Sequence, residues 1–350
     1  MHLDEVVGSA IIDMYVKCGS LLDADTVFED LAIKDVVSWS AMIRGYADQG
    51  HGQKALNLYS DMLSEDICPN KLTFLGVLKA CWLVGNLRQG LYMHSEVVSQ
   101  SLDSDLVVAN TLIGMYAKCG ALNEARHVFD LLSSKDGVSY NSMIPGYAQN
   151  EHSLPALDIY SSMRCRGIRP NKVTFPTILK ACSNIRALIE GRLLHMEIIR
   201  DGMHLDEVVG SAIIDMYLKC GSLLDADTVF EDLAIKDVVS WSAMIRGYAD
   251  QGHGQKALNL YSDMLSEDIC PNKLTFLGVL KACWLVGNLR QGLYMHSEVV
   301  SQSLDSDLVV ANTLIGMYAK CGALNEARHV FDLLSSKDGV SYNSMIPGYV

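Results

Sequence analysis

The sequence predicts an all-α chain, a right-handed α-solenoid superhelix of about ten stacked helix pairs, and three observations lead there. Residues 1–148 return as 203–350 with two differences, Val16 against Leu218 and Ala148 against Val350, the mark of a very recent duplication or an engineered array. Inside each copy runs a looser period of 101 residues: Met14-Tyr15-x-Lys17-Cys18-Gly19-x-Leu21 returns as Met115-Tyr116-x-Lys118-Cys119-Gly120-x-Leu122. Within that period apolar residues recur at i, i+3, i+4 and i+7, which puts them on one helix face. A length of 350 residues would otherwise point to two or three globular domains, but self-similarity at a fixed period is the signature of a repeat array and takes precedence.

The period divides into blocks of 35, 35 and 31 residues. The chain enters on a short block from Glu5, with Ile11, Ile12 and Tyr15 on a first helix and Ala24, Val27, Phe28 and Leu31 on a second. Val36-Val37-Ser38-Trp39-Ser40 opens the next block, which closes at Pro69-Asn70. Its stripe Trp39, Met42, Ile43 and Tyr46 is followed, beyond the breakers Gly50 and Gly52, by Ala55, Leu58, Tyr59 and Met62, and Pro69 stops the second helix. Lys71-Leu72-Thr73-Phe74 opens a block closing at Asp105, and Leu106 to Asp136 forms a shorter one. Neither helix of a pair can bury its stripe alone. Stacked pairs share one continuous core, with the first helices lining a concave inner surface.

At 49% hydrophobic residues and only 7 prolines the chain has enough apolar surface to bury, which excludes disorder for most of it. Charges interrupt every apolar stretch short of about 18 residues, so no membrane span is expected. Met1-His2-Leu3-Asp4-Glu5 has neither the basic n-region nor the apolar h-region of a secretory signal, and it is not an Arg-rich transit peptide. No two of the ten cysteines form a CxxC pair; Cys18, Cys119, Cys220 and Cys321 recur at one position and Cys81, Cys182 and Cys283 at another. They read as small buried apolar residues in a reducing compartment rather than as a disulfide or zinc framework. His94-Ser95-Glu96, His195-Met196-Glu197 and His296-Ser297-Glu298 match half of a zinc deaminase signature, but no P-C-x-x-C completes it, and they read as ordinary helix residues. With no nucleophile elbow, P-loop or dinucleotide fingerprint either, no enzyme, metal or cofactor is expected.

The blocks carry specific motifs: Val-Ser-Trp/Tyr-(Ser/Asn)-x-Met-Ile, Met-Tyr-x-Lys-Cys-Gly, Leu-Lys-Ala-Cys, and Pro-Asn endings at 69–70, 170–171 and 271–272. With the 35/35/31 lengths, the whole chain resembles the plant-type pentatricopeptide repeat family, in its subclass of P, L and S motifs. A tetratricopeptide array differs in its constant 34-residue unit and in its signature residues. In that register residues 1–4 end an L motif, and one solenoid follows: S 5–35, P 36–70, L 71–105, S 106–136, P 137–171, L 172–206, S 207–237, P 238–272, L 273–307, S 308–338 and a truncated P 339–350. Nothing resembles the C-terminal extension or deaminase domain that many such proteins carry, so the chain reads as a piece of a longer array.

The resemblance implies single-stranded RNA binding at one base per motif, read by the fifth residue of a motif together with its last, with the chain parallel to the RNA. The chemistry of those positions can be argued separately. Guanine and uracil present a ring N–H, which needs an acceptor such as Asp; adenine and cytosine present a bare ring nitrogen, which needs an amide donor such as Asn. A short Ser at the fifth position leaves room for a purine, and a longer Asn reaches a pyrimidine. Ser9 with Asp35 then reads G, Ser40 with Asn70 reads A, Asn110 with Asp136 reads U, and Asn141 with Asn171 reads C with U tolerated. Ser211 with Asp237, Ser242 with Asn272, and Asn312 with Asp338 repeat G, A and U. Leu75, Pro176 and Leu277 cannot hydrogen-bond through a side chain, so Asp105, Asp206 and Asp307 have no polar partner and no base is assigned. The expected site is 5'-GAnUCnGAnU-3'. Ser, Asn and Asp at element ends also serve simply as caps and turns.

The second residues Val6, Val37, Leu72, Val107, Val138, Val173, Val208, Val239, Leu274 and Val309 resemble the family's aliphatic clamps between successive bases, although core packing also explains an apolar residue there. Lys17, Lys118, Lys219 and Lys320 share one position near the end of a first helix, where the family places phosphate-facing bases. The net charge of −13 works against RNA affinity. Each long copy carries −8, while residues 149–202 hold 8 basic and 5 acidic residues. The resemblance further implies an organellar editing or processing factor, in mitochondrion or chloroplast, with other such factors as partners. A protein-binding scaffold without RNA specificity is the alternative. With no polar capping repeat at either end, end-to-end self-association is also expected.

Overall fold

The computed structural model describes residues 5–202 and 207–346. The tail at 1–4, Asp206 and the last four residues of the truncated block, 347–350, lie outside the described residues. Among the described residues all regular structure is helical. The chain divides into two compact units, Met1–Ile178 and Leu179–Val350.

The first unit runs through α1 (Glu5–Lys17), α2 (Leu21–Asp30), α3 (Val36–Asp48), α4 (Gly52–Ser64), α5 (Lys71–Val84), α6 (Leu87–Ser99), α7 (Leu106–Lys118), α8 (Leu122–Leu131), α9 (Gly137–Gln149) and α10 (Ser153–Cys165). The next helix, α11 (Thr174–Ile185), contains the division. The second unit continues through α12 (Leu188–Arg200), α13 (Glu207–Lys219), α14 (Leu223–Asp232), α15 (Val238–Asp250), α16 (Gly254–Ser266), α17 (Lys273–Val286), α18 (Leu289–Ser301), α19 (Leu308–Lys320), α20 (Leu324–Leu333) and α21 (Gly339–Met345).

Most first helices start at an Asp or Asn whose side chain accepts a backbone N–H of the first turn. Asp35, Asn70, Asp105 and Asp136 cap α3, α5, α7 and α9, and Asp237, Asn272, Asp307 and Asp338 cap α15, α17, α19 and α21. Each such cap is worth about 1 kcal/mol over alanine. At the other end of α1, α7, α13 and α19 the Lys-Cys-Gly motif reverses the chain: Gly19, Gly120, Gly221 and Gly322 take φ of 84°, 77°, 82° and 78°, a left-handed conformation that favours glycine.

In the first unit α1, α3, α5, α7 and α9 stack in succession as one layer, and each also packs on the helix that follows it, so α2, α4, α6, α8 and α10 form a second layer. The second unit repeats this with α13, α15, α17, α19 and α21 backed by α14, α16, α18 and α20. The core lies between the layers. Trp39 meets Phe28 edge-on at 4.8 Å and Tyr140 meets Phe129 at 5.2 Å, while Met42, Ile43, Phe74 and Tyr140 are fully buried. The internal difference between the two copies is accommodated without a change of partners: Leu218, like Val16, lies against a glycine of the next first helix, Gly247 for one and Gly45 for the other.

One sequence expectation needs correction. Cys81, Cys182 and Cys283 are buried, but Cys18 is exposed and Cys119, Cys220 and Cys321 are only half-buried. The second set falls at the end of a first helix, where the chain turns outward, so a repeated position is not necessarily a core position. The histidines of the H-x-E triplets are held by tyrosines: His94, His195 and His296 hydrogen-bond through Nδ1 to the hydroxyls of Tyr116, Tyr217 and Tyr318 at 2.8, 2.9 and 2.8 Å.

Candidate functional site

The fifth and last residues of a block are far apart in sequence, and the stacking of first helices brings them together. The last residue caps the next first helix, beside the first turns of the preceding one. Ser9 Oγ donates to Asp35 Oδ1 at 3.2 Å, and Ser40 Oγ donates to Asn70 Oδ1 at 3.2 Å. Asn110 Nδ2 donates to Asp136 Oδ1 at 3.2 Å. In the second unit Ser242 meets Asn272 at 3.2 Å and Asn312 meets Asp338 at 3.3 Å.

Two pairs depart from this pattern. Asn141 is joined to Asn171 through Thr174, whose hydroxyl lies 2.7 Å from Asn141 Oδ1 and 3.1 Å from Asn171 Oδ1. Ser211 Oγ is buried without a hydrogen-bond partner, and its expected mate Asp237 accepts from Ser240 N at 2.8 Å. The same residues are therefore both caps and members of the expected pairs; the two roles use one oxygen. On Asp136, Oδ1 takes the Ser139 N–H and hydroxyl, each at 2.9 Å, as well as the Asn110 amide.

Burial pushes the Asp136 carboxyl up, but hydrogen bonds from the Ser139 backbone and hydroxyl and from Asn110 outweigh it and hold the group below the usual carboxylate range. Asp338 is held down likewise, first by the Ser341 backbone and hydroxyl. Both remain ionised acceptors at neutral pH. Asn110 Oδ1 and Asn312 Oδ1 are buried and unpaired, a cost of roughly 1–3 kcal/mol each if nothing satisfies them.

Asp105 and Asp307 are arranged differently. Their Oδ1 atoms cap α7 and α19, while Oδ2 takes an ion pair at 2.6 Å from Lys71 and Lys273 respectively. The lysine, first among the causes, holds both carboxyls low. Beside Leu75 and Leu277, the capping aspartate thus has both oxygens engaged.

The ten second residues all stand exposed, from Leu72 and Leu274 at 44% to Val6 at 76%. Core packing therefore does not account for them; they form a row of aliphatic side chains along the first-helix layer of each unit. Val340, the corresponding residue of the last block, is 56% exposed and belongs to the row; it is legible in the sequence as the counterpart of Val138.

The four lysines split into two kinds. Lys17 and Lys219 pair with Asp13 and Asp215 on their own helices at 2.6 and 2.7 Å. Lys118 and Lys320, with Gly114 and Gly316 in place of those aspartates, instead lie over the rings of Trp82 and Trp284 at 5.7 and 3.0 Å from the centroid. Beside these tryptophans the first-helix layer opens into a recess in each unit, about 480 Å³ in the first and about 530 Å³ in the second. Residue-by-residue reading missed both tryptophans. The signal was available in the period, since the middle repeat carries Ser183 at the same place.

Residues 34–82, 135–184 and 236–284 match the family model described as PPR repeat family, and residues 9–36, 107–136 and 309–338 match that described as PPR repeat. The chain belongs to the pentatricopeptide repeat family. It is 37% identical, over 98% of its length, to Pentatricopeptide repeat-containing protein At4g18520, chloroplastic, of Arabidopsis thaliana, covering 56% of that protein. It is 35% identical, over 99% of its length, to Pentatricopeptide repeat-containing protein At3g02330, mitochondrial, of the same plant, covering 40%. The chain spans about half the length of the curated relatives it matches. The crystal structure of pentatricopeptide repeat protein PPR10 in complex with an 18-nt psaJ RNA element matches it with a TM-score of 0.81 at 18% identity, over 99% of this chain and 53% of that one. PPR10 from maize gives a TM-score of 0.64, also at 18% identity, over 99% of this chain and 56% of that one. At that identity the likeness is one of fold, a pentatricopeptide helical-repeat solenoid.

Proposed function

We propose that this chain is the recognition tract of an organellar RNA editing or processing factor, binding single-stranded RNA of sequence 5'-GAnUCnGAnU-3' through P, L and S motifs in the register given above. One observation carries the reading: along each first-helix layer, fifth-and-last pairs, five of the seven directly hydrogen-bonded, alternate with exposed aliphatic residues. A flat, apolar-sided slot with a polar pair at its base suits a planar base with a hydrogen-bonding edge. A protein core needs neither an exposed valine nor a buried amide oxygen without a partner.

The pairing at Asn110 and Asp136 is the clearest. The ionised Asp136, with Oδ2 outside its capping bonds, accepts the ring N–H of uracil, and the second N–H of Asn110 meets a carbonyl of the same base. At Ser40 and Asn70, the Asn amide donates to the bare ring nitrogen of adenine. Beside Leu75 the capping Asp105 is closed by Lys71, which supports an unassigned base there. The structure of PPR10 with RNA and the chloroplastic and mitochondrial names of the relatives support the partner and the compartment. A net charge of −13 leaves affinity modest and salt-sensitive, with specificity resting on base edges.

The test is a gel-shift comparing the ten-nucleotide RNA with a scrambled RNA of the same composition. Preference for the ordered sequence is expected. Equal binding of the two, or none, would leave the chain as a protein-binding scaffold.

A further inference from the structure

The recess beside Trp82 and its counterpart beside Trp284 carry chemistry that hydrogen-bond reading leaves unused. Each tryptophan is half-buried, at the end of α5 or α17. Trp39 and Trp241, by contrast, are 3% exposed and belong to the core. On the facing helix, glycine stands at the two positions, Gly114 and Gly316. A methyl group on Gly114 would only just touch the Trp82 ring, at 3.9 Å, and one on Gly316 would meet nothing within 4 Å.

Arg44 and Lys79 line the first recess with Asp48 and Asp136, and Arg246, Lys281 and Lys320 line the second with Asp250 and Asp338. Lys79 and Arg44 share Asp48 at 2.7 and 3.5 Å, Lys281 and Arg246 share Asp250 at 2.7 and 3.6 Å, and Lys118 or Lys320 rests on the indole. An exposed cation–π contact of that kind is weak, so an incoming planar group can replace the ammonium at small cost and release it toward a phosphate. The lysine takes two heights over its ring, 5.7 and 3.0 Å, in copies of almost the same sequence. The middle repeat keeps Lys180 at the position of Lys79 but neither the ring nor the opening: Ser183 replaces the tryptophan, buried and bonded to Leu179 O, and Asp215 fills the glycine position and holds Lys219.

Resting on the RNA reading above, we infer that each recess takes the nucleotide that faces Leu75 or Leu277, its base stacked on the indole of Trp82 or Trp284 and its phosphate met by the displaced Lys118 or Lys320. Every base has a π-face, so this contact adds affinity without identity. The third and ninth positions of the site are then held but not read, and the sixth, opposite Ser183, is neither.

The full chain is titrated with the ten-nucleotide RNA carrying any of the four bases, or an abasic sugar, at the third and ninth positions together, or at the sixth alone. Base identity at the third and ninth positions is expected to change affinity less than about twofold, whereas abasic sugars there weaken binding roughly five- to tenfold per site. An abasic sixth position should bind like the parent. Trp82→Ala with Trp284→Ala should bind the parent RNA as weakly as wild type binds the doubly abasic one, and should lose nothing more on the abasic RNA, a coupling that a purely structural tryptophan would not show. The RNA series on wild-type protein stands alone if that variant does not fold. Tight binding of the ten-nucleotide RNA with equal losses at the third, sixth and ninth positions would overturn this inference alone. No preference for that RNA over its scramble would overturn the underlying reading, and this with it.

Discussion

Asn110 donates its side-chain amide to Asp136 Oδ1 across 3.2 Å, joining two residues on successive first helices, and Asn312 does the same to Asp338 at 3.3 Å in the second unit. The bond orients the asparagine and also consumes the carboxylate oxygen that caps α9, so the chemistry of the pair can be altered while the cap is kept. Asp136→Asn does this, because asparagine caps a helix about as well as aspartate.

That substitution replaces an acceptor with an amide that can donate to the ring nitrogen of cytosine. The preference at the fourth base of the RNA should move from U to C, by about tenfold in the ratio of affinities for two RNAs differing there alone. Competition binding measures it. The salt dependence should stay the same, because no phosphate contact is altered. An unchanged ratio on a protein that still binds the ten-nucleotide RNA would reduce Asp136 to a cap.

Lys118→Ala should weaken U- and C-bearing RNAs alike and lower the slope of log affinity against log salt by about 0.7. Lys17→Ala should do less, because Lys17 is already neutralised by Asp13 at 2.6 Å. Binding isotherms at several salt concentrations separate the two lysines.

His94, His195 and His296 are held below the ordinary imidazole value of 6.5, chiefly by burial. As pH falls through 6.5 the unfolded chain takes up protons on these three groups before the folded chain does, so their contribution to stability is complete above that pH and declines below it. Thermal melting should therefore occur at lower temperature at pH 5.5 than at pH 7.5. Replacing all three with glutamine should flatten the dependence in that window. The depressed carboxyls Asp105, Asp136, Asp307 and Asp338 act lower, losing their contribution only as pH drops through and below 3.8.

A methyl group on Gly52 would lie 2.9 Å from Leu83 Cβ and 3.0 Å from the Ala80 carbonyl oxygen, groups fixed by the backbone of α5. One on Gly90 would run into Met115 Sδ, near the end of a flexible side chain. Gly52→Ala should cost about 1–3 kcal/mol by forcing α4 away from α5. Gly90→Ala should cost less than about 1 kcal/mol, because the methionine can turn aside and alanine favours the helix. Urea unfolding of the two variants gives the comparison.

Tyr342 on α21 is 57% exposed where its counterpart Tyr140 is fully buried, and Val340 and Ile346 stand open beside it. The chain should associate with itself as concentration rises. Light scattering should show this, and Tyr342→Lys should reduce it.

The helix pairs were legible because an amphipathic period needs no knowledge of partners, and the capping residues because Asp and Asn stand at the ends of the blocks. The aliphatic row was ambiguous, since a valine two residues after a cap looks the same whether it faces the core or solvent; only the stacking of first helices places it outside. The split among the lysines was half legible: Asp13 and Lys17 are four residues apart on one helix, but the seat of Lys118 on Trp82 joins residues of different blocks. The closure of Asp105 by Lys71 was hidden too, because the two stand 34 residues apart at opposite ends of one block.

The link from Asn141 through Thr174 to Asn171 starts near the end of the first long copy and finishes in the stretch 149–202 between the two. Around it the expected reading is nearly a tandem: G, A, an open place and U on each side. On the proposed reading, a short transcript carrying that element once seats on either half, and the ten-nucleotide RNA displaced by a whole repeat keeps three of its seven assigned bases matched. On that reading the cytosine contact, which exists in one frame alone, adds to the loss of one element in opposing such slippage. Weakening it, as with Asn171→Asp, should leave affinity for a single-element RNA intact while letting a tandem RNA occupy two frames, which footprinting of the bound RNA would show as a doubled, shifted boundary.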